Sequence, residues 1–402
     1  MLERLRSLLR SSATLKSEAG ARVSTGSSMQ KLLGRATINL DTPEMQRFIA
    51  GKRILVTGAG GSIGSEICRQ CARFMPQRIV LVERCEGSLF EIDRELREQW
   101  IGQDVVASLC DITDGPRLSH VFKEHSPDIV FHAAAHKHVP MMEQNPGEAI
   151  KNNVLGTRLV LDTAIAHHAH SFVLISTDKA INPSSVMGAS KRLAEMVVQS
   201  RHALSSTRVS AVRFGNVLGS SGSVVPIFKR QIERGGPVTV THADMTRYFM
   251  TIPEATQLVM HAASIGSGGE VFILDMGKPL RIIDLARRMI LDAGLIEGTD
   301  IELRITGIRP GEKLHEELSG VTDRALRTSH PKIRVWELPP VDAMWLDTAT
   351  SELSDCIATP GTSSSLVVQD LARILTEFKP ESAHFKAKPS TDIERNAAAL
   401  AA

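Results

Sequence analysis

The stretch Arg53-Ile-Leu-Val-Thr-Gly58-Ala-Gly-Gly61-Ser62-Ile63-Gly64 constrains this chain more than any other. A short run of β-favouring residues passes directly into spaced glycines, and a helical pattern opens at Ser65. A strand, a glycine loop and a helix in that order form the context in which such glycines carry meaning. They permit a tight turn, let backbone N–H groups approach a pyrophosphate, and let helix and strand pack closely. The helix N-terminus then faces negative charge. The loop therefore reads as dinucleotide-binding, with Gly58, Gly61, Ser62, Ile63 and Gly64 as cofactor contacts.

The chain continues as alternating strands and helices, each helix long enough for a parallel crossover. The expected fold is α/β, a doubly wound parallel sheet of Rossmann type with a smaller C-terminal substrate-binding lobe. The strand Arg78–Glu83 ends in a carboxylate 25 positions after Gly58, near the place where one binds the adenosine ribose hydroxyls. Glu83 favours NAD over NADP by repelling a 2′-phosphate, although Arg84 could pair with one. Asp111-Ile112 follows the third strand; Asp111 could contact the adenine or simply close a turn. Ala133, Ala134 and Ala135 follow the strand ending at His132, where small residues admit a flat cofactor. His136-Lys137-His138 then forms a loop on the crevice side, read as lining the substrate rather than holding a metal. Residues 148–168 read as a helix carrying Asn152 and Asn153, with Asn153 counted among the cofactor contacts.

The fifth strand, Phe172–Ile175, delivers Thr177-Asp178-Lys179, followed by Asn182-Pro183 and a helical pattern with Met187-Gly-Ala-Ser-Lys191. Groups at a strand's carboxyl end face the ligand crevice in an open α/β sheet. Met187 and Lys191, four residues apart, share a helix face. A tyrosine stands at the Met187 position in many nicotinamide enzymes of this architecture. Here the single tyrosine is Tyr248, in another part of the chain.

Four segments are expected: 1–41, largely disordered; 42–215, the NAD-binding domain, joined by a strand near 270–275; 216–377, the interleaved substrate lobe; and 378–402, a disordered tail. Thr42 and Pro43 suit the start of a short helix over 42–49. The opening MLERLRSLLR reads as a frayed terminus, with a short docking helix as the alternative. A net charge of +2 gives no reason to expect nucleic acid or an acidic membrane as partner. No apolar run reaches the ~18 residues of a membrane span. The five cysteines, an odd count in a long chain, suggest reduced thiols and a cytoplasmic location. Cys68 and Cys71 share a helix face and read as buried small hydrophobes, not as a zinc or redox pair.

Six separated motifs occur in order: TGAGGSIGSE, HAAAHKHVPMME, STDKAINPSSVMGASKR, RFGNVLGSSGSVVP, MTRYFMTIPEA and TGIRPGEKL. Together they resemble the nucleotide-sugar 4,6-dehydratases of bacterial surface-polysaccharide synthesis. This branch of the extended short-chain dehydrogenase/reductase superfamily acts on UDP-N-acetylglucosamine. Long members carry a membrane-embedded region that this chain lacks, so it resembles a soluble short form. Met187 places it with the methionine-containing, C5-retaining set, and His136 stands where many relatives have tyrosine. The resemblance implies NAD as cofactor, a UDP-sugar substrate and a homo-oligomer. It implies Asp178 as the acid for the C6 hydroxyl and Lys179 as the base at C5. On that assignment Lys179 starts neutral, aided by burial or by the charges of Lys137 and Lys191. Lys191 holds the nicotinamide ribose, Met187 forms an apolar wall, and the C4 hydroxyl proton falls to Thr177, Asp178 or a water. Asn216, Ser223, Val224, Arg247 and Arg309 are the candidates for uridine diphosphate, although either arginine could form a structural ion pair. Glu312 could bind ribose or pair with Arg309. A 4-epimerase or reductase would lean on the absent tyrosine; a NAD-binding protein without turnover is the non-enzymatic alternative.

Overall fold

A computed structural model describes residues 42–318 and 325–380. The segments 1–41 and 381–402, expected to be disordered, lie outside the described residues. In chain order, helix α1 (Pro43–Ile49) leads to β1 (Arg53–Thr57), α2 (Ser62–Ala72), β2 (Arg78–Glu83), α3 (Glu86–Gln99), β3 (Val105–Leu109), α4 (Gly115–His125) and β4 (Ile129–His132). Two short helical turns and a π-helical stretch, Ile150–Gly156, precede α5 (Thr157–Ala166). Then come β5 (Ser171–Ile175), α6 (Val186–His202), β6 (Arg208–Arg213), β7 (Asn216–Val217), α7 (Val224–Glu233), β8 (Val238–Val240), β9 (Thr246–Arg247) and β10 (Phe249–Met250). The remainder is α8 (Ile252–Ile265), β11 (Val271–Leu274), β12 (Leu280–Arg281), α9 (Ile282–Asp292), β13 (Leu303–Ile305), β14 (Ala325–Arg327), β15 (Ile333–Trp336), α10 (Ala343–Ala358) and α11 (Ser364–Ile374).

The main sheet has nine strands in the order β14-β15-β11-β6-β5-β4-β1-β2-β3. β1 pairs in parallel with both β2 and β4, so the strand order reverses there and opens a crevice at the carboxyl ends. Helices cover both faces, which explains why the strands are nearly all apolar rather than alternating. Ile54, Val56, Ile79 and Leu81 face a core shared with α1, α2, α3 and α8. Leu55, Val80 and Val82 face the opposite core, built with α4, α5, α6, α10 and α11. Thr42 caps α1 by accepting from Met45 N at 3.3 Å. Cys68 and Cys71 are fully buried in the first core, and all five cysteines are free thiols. Burial raises the pKa of both thiols.

The segment 216–377, read as the substrate lobe, divides in space. A separate core joins α7, β8 and α9 through Val225, Phe228, Val238, Val240, Ile283 and Ile290. The strand expected near 270–275 is β11, parallel to β6. β15 and β14 extend the sheet antiparallel beyond it. α10 and α11 pack on the main sheet's second face rather than in the lobe. The ordered chain also runs past the expected tail boundary at 378. Phe378 is buried, and Lys379 N donates to the Pro183 carbonyl at 3.0 Å, pinning the segment beside the turn that enters α6.

The helix expected over 148–168 contains the π-helical stretch 150–156. Such bulges re-aim side chains, and this one turns Asn152 and Asn153 into the interior. Gly156 fits there because a Cβ would lie 2.8 Å from Ile112 Cδ1. Among the described residues no helix is long and apolar enough to cross a membrane.

Candidate active site

At the carboxyl end of β1 the chain turns through Gly58, whose φ is +65°. A Cβ on Gly58 would sit 2.7 Å from Ala134 N, and one on Gly64 would sit 2.0 Å from the Gly58 carbonyl oxygen. The loop, the alanine strand end and α2 therefore pack with no room for side chains. That leaves backbone around the N-terminus of α2, which starts at Ser62 with Gly61 as its cap, and fits the residues to a pyrophosphate. Glu83 ends β2 and knits the loop: its carboxylate accepts from Gly60 N at 3.2 Å, Arg84 N at 2.9 Å and Cys85 N at 3.0 Å. Asp111 accepts from the Thr113 amide and hydroxyl, closing a turn, while its other oxygen lies 3.7 Å from Arg84. Ile112 is buried beneath this turn.

Asn153, counted with the cofactor contacts, is instead a buried clamp. It accepts from His136 N (2.8 Å) and donates to the His136 carbonyl (3.0 Å) and to Ser190 Oγ (3.0 Å). His136 was expected on the substrate side. The charges bearing on its ring are those of Arg84, Glu148 and Asp111, at the adenosine end, and burial together with Arg84 lowers its pKa. His138 meets the lobe instead: a Cβ on Gly222 would lie 2.6 Å from its Cε1. Lys137 Nζ donates to Ser220 Oγ at 3.4 Å, and Ser221 N donates to Ser62 Oγ at 3.1 Å. The loop 219–223 thus bridges the lobe to the glycine loop.

The catalytic candidates meet at the end of β5. Thr177 Oγ1 donates to Asp178 Oδ1 at 3.0 Å. Lys179 Nζ donates to the same oxygen at 2.9 Å and to Asn216 Oδ1 at 3.1 Å, and lies 3.4 Å from Glu316 Oε1. The Asp178 carboxylate is fully buried, yet its Oδ2 has no hydrogen-bond partner. A buried acceptor without a partner is rare and costly, and here it lies beside the residue best placed for proton transfer. Glu316 Oε2 is buried and unpartnered in the same way.

Lys179 does not start neutral. Burial lowers the pKa of its ammonium, but the charges of Asp178 and Glu316 outweigh that effect and hold the pKa above the ordinary lysine value. Lys137 and Lys191 supply none of the expected pull; the cation acting on Lys179 is Arg247. Arg247 does not point free into the cleft. It donates to the carbonyls of Thr246 (2.7 Å), Leu314 (3.2 Å) and Lys313 (2.8 Å) and lies 3.6 Å from Glu316. Arg309 pairs with Glu312 at 2.5 Å, the alternative left open for both. Ser223 caps α7 in position only, with no side-chain hydrogen bond; its Oγ is buried and unpartnered beside Val224, at a helix N-terminus suited to an anion.

Met187 and Lys191 lie in the buried first turns of α6. Burial depresses Lys191, with Glu195 opposing, from 10.5 to about 8. A lysine that loses proton affinity on folding makes stability rise with pH between its folded and unfolded values. From pH 8 to 9.5 this contributes about 1.6 kcal/mol, somewhat less than the full slope of about 1.4 kcal/mol per unit because the folded group is half deprotonated at pH 8. Urea unfolding at the two pH values should show that gain in the wild type and lose most of it in Lys191→Met; equal gains in both would rule out Lys191 as the source.

Sequence reading missed His132. It is wholly buried between Thr57 (2.7 Å to Nδ1) and Thr157 (2.9 Å to Nε2), and burial with Lys191 nearby pushes its pKa down to about 3. Thr157 donates its own proton to the Asn153 carbonyl, so it accepts from Nε2–H, and Nδ1 accepts from Thr57. This neutral bridge ties β1 to the bulge that carries Asn153.

The profile of the polysaccharide biosynthesis protein family matches residues 54–337. The capsular polysaccharide biosynthesis protein CapD of Staphylococcus aureus is 56% identical over 72% of this chain and 49% of its own length. A UDP-N-acetylglucosamine 4,6-dehydratase (inverting) of Campylobacter jejuni is 33% identical over 69% of this chain and 80% of its own. A UDP-glucose 4-epimerase of Rickettsia canadensis matches at the same 33%, over 68% and 79%. The crystal structure of Pen from Bacillus thuringiensis superposes with a TM-score of 0.67 at 34% identity, covering 73% of this chain and 89% of Pen. The chain spans about half the length of the first curated relatives it matches.

Proposed function

The chain belongs to the polysaccharide biosynthesis protein family, a group of nucleotide-sugar dehydratases and epimerases, and from that membership we propose that it removes water from C5 and C6 of UDP-N-acetylglucosamine, with NAD as resident cofactor and C5 configuration retained. The observation that carries this reading is the buried Asp178 carboxylate, joined at 2.9 Å to the partly exposed Lys179, with one carboxylate oxygen left free. Epimerisation at C4 has no use for an acid–base pair and leans on a tyrosine where this chain has Met187.

NAD, when bound, supplies the acceptor and donor of hydride. Gly58, Gly61, Ser62, Ile63, Gly64, Glu83 and the alanines 133–135 would hold it, with Lys191 at the nicotinamide ribose. Dehydration takes one proton from C5 and delivers one to the C6 hydroxyl, which leaves as water. The pair holds a single exchangeable proton, resting on Lys179. Transfer of that proton to Asp178 leaves a neutral lysine as base and a carboxylic acid as donor. Lys179 then takes the C5 proton, Asp178 gives its proton to the departing hydroxyl, and the pair ends with the proton count it began with. Two such coupled groups titrate as a unit. Met187 excludes water beside the sugar, and the N-terminus of α7 with Ser223 offers a seat for the diphosphate.

Incubation with UDP-N-acetylglucosamine, followed by mass spectrometry and NMR, tests the reading. Loss of one water to give a 4-keto-6-deoxy sugar with unchanged C5 configuration is the expected result. A C4 epimer of unchanged mass would establish the epimerase reading in its place.

A further inference from the structure

Lys179 Nζ donates two hydrogen bonds, to Asp178 Oδ1 (2.9 Å) and Asn216 Oδ1 (3.1 Å), and its ammonium also lies 3.4 Å from Glu316 Oε1 as an ion pair. An ammonium so enclosed has no lone pair for a substrate proton. One of its three contacts must be surrendered before it can act. Asn216 sits on β7, which is fixed by pairing with β10, and Asp178 is its partner in proton transfer. The longest contact, to Glu316, is the one that can give way.

Glu316 is set apart in other respects. Its side chain is 2% exposed, and its second oxygen has no partner. The cation opposite it, Arg247, is tethered by three backbone carbonyls and cannot swing to serve that oxygen. Two cations, Lys179 and Arg247, thus converge on one half-satisfied carboxylate. Asp178 faces Lys179 from its other side, with Tyr248 beyond it across Gly215, and Glu312 acts on Arg247.

We propose that Glu316 is a positioning residue that keeps Lys179 an enclosed ammonium in the free enzyme and sets the pH at which the Asp178–Lys179 pair loses its proton. It acts through Lys179 and not on the sugar. Without its charge, Asp178 alone offsets burial and Arg247 at Lys179, and the lysine proton is held less tightly. The inference rests on the dehydratase reading only for its kinetic consequence.

The experiment is acetylation of the purified protein with acetic anhydride across a pH series, with the Lys179 peptide followed by mass spectrometry. In the wild type, the Lys179 midpoint should lie above that of the exposed Lys229. In Glu316→Gln it should fall by about one unit or more, the size expected for loss of a neighbouring opposite charge. Glu316→Asp, which keeps the charge, should bring it back toward the wild type. An unchanged midpoint in Glu316→Gln, or equal midpoints in the Gln and Asp variants, would overturn the proposal. Should Glu316→Gln fail to fold, the wild type still decides, since a Lys179 midpoint at or below that of Lys229 refutes it. Labelling needs no turnover, so its failure leaves the dehydratase reading standing. With turnover, the basic limb of the kcat profile should move down by the same amount with KM little changed. A wild type that labels as expected yet makes no product would refute the dehydratase reading and leave Glu316 in its role.

Discussion

Asp178→Asn is expected to lower kcat for water loss by about 10³-fold while leaving sugar-nucleotide binding largely intact, since positioned proton transfer contributes roughly 10²–10⁴-fold. The amide keeps the shape of the side chain and can still accept from Thr177 and Lys179 through one oxygen. It cannot receive the Lys179 proton and pass it to the C6 hydroxyl. The substitution also removes one of the two anions that keep Lys179 charged, so the remaining base should titrate at lower pH. Single-turnover product formation, measured beside equilibrium binding of the UDP-sugar, separates the two effects. A variant that dehydrates at the wild-type rate would remove Asp178 from the chemistry, and one that no longer binds would make it a binding residue.

What could be read from the sequence was what is local along the chain. The glycine loop, the strand ends and the short reach from Thr177 to Lys191 depend on neighbours a few positions apart, and backbone periodicity exposes them. Asn153 was read as a helix residue contacting the cofactor, because nothing in sequence marks a π-helical stretch that turns it onto the His136 backbone. Lys179 was expected to be neutral from its implied role as base, and Glu316 was not seen because it arrives from a distant loop whose motif, RPGEKLHEE, advertises Arg309 and Glu312 instead. Those two satisfy each other, and the carboxylate that matters lies one helical turn further on in spacing. The same limit applies to α10 and α11. Their apolar stripe is visible, but the face it covers is set by the tertiary fold. Local pattern picked out the candidate residues at the end of β5, and long-range charge sets the protonation of Lys179.

The support beneath that site yields the second large effect. Glu195 lies on α6, one turn beyond Lys191, and is fully buried. It accepts from Arg213 Nε at 2.7 Å and again from Nη2, from Ser176 Oγ at 2.5 Å, and from Arg192 at 3.4 Å. Arg213, at the end of β6, is the largest fully buried side chain described, and its guanidinium stacks 4.6 Å above the Trp336 ring. Ser176 immediately precedes Thr177. One carboxylate therefore ties the carboxyl ends of β5 and β6 to the helix carrying Met187 and Lys191. Glu195→Ala strands the Arg213 cation in a dry interior, and breaking a buried pair from one side costs about 3–5 kcal/mol. The urea midpoint should fall accordingly, with the slope unchanged. Removing both partners should be far milder, because apolar residues of similar volume often replace a buried pair at little cost. Glu195→Met with Arg213→Met is thus expected to recover most of the loss in stability, but not the activity, since Ser176 would no longer be held. A single variant costing under about 1 kcal/mol, or a double variant as unstable as the single, would show that the network is not what anchors the carboxyl end of β5.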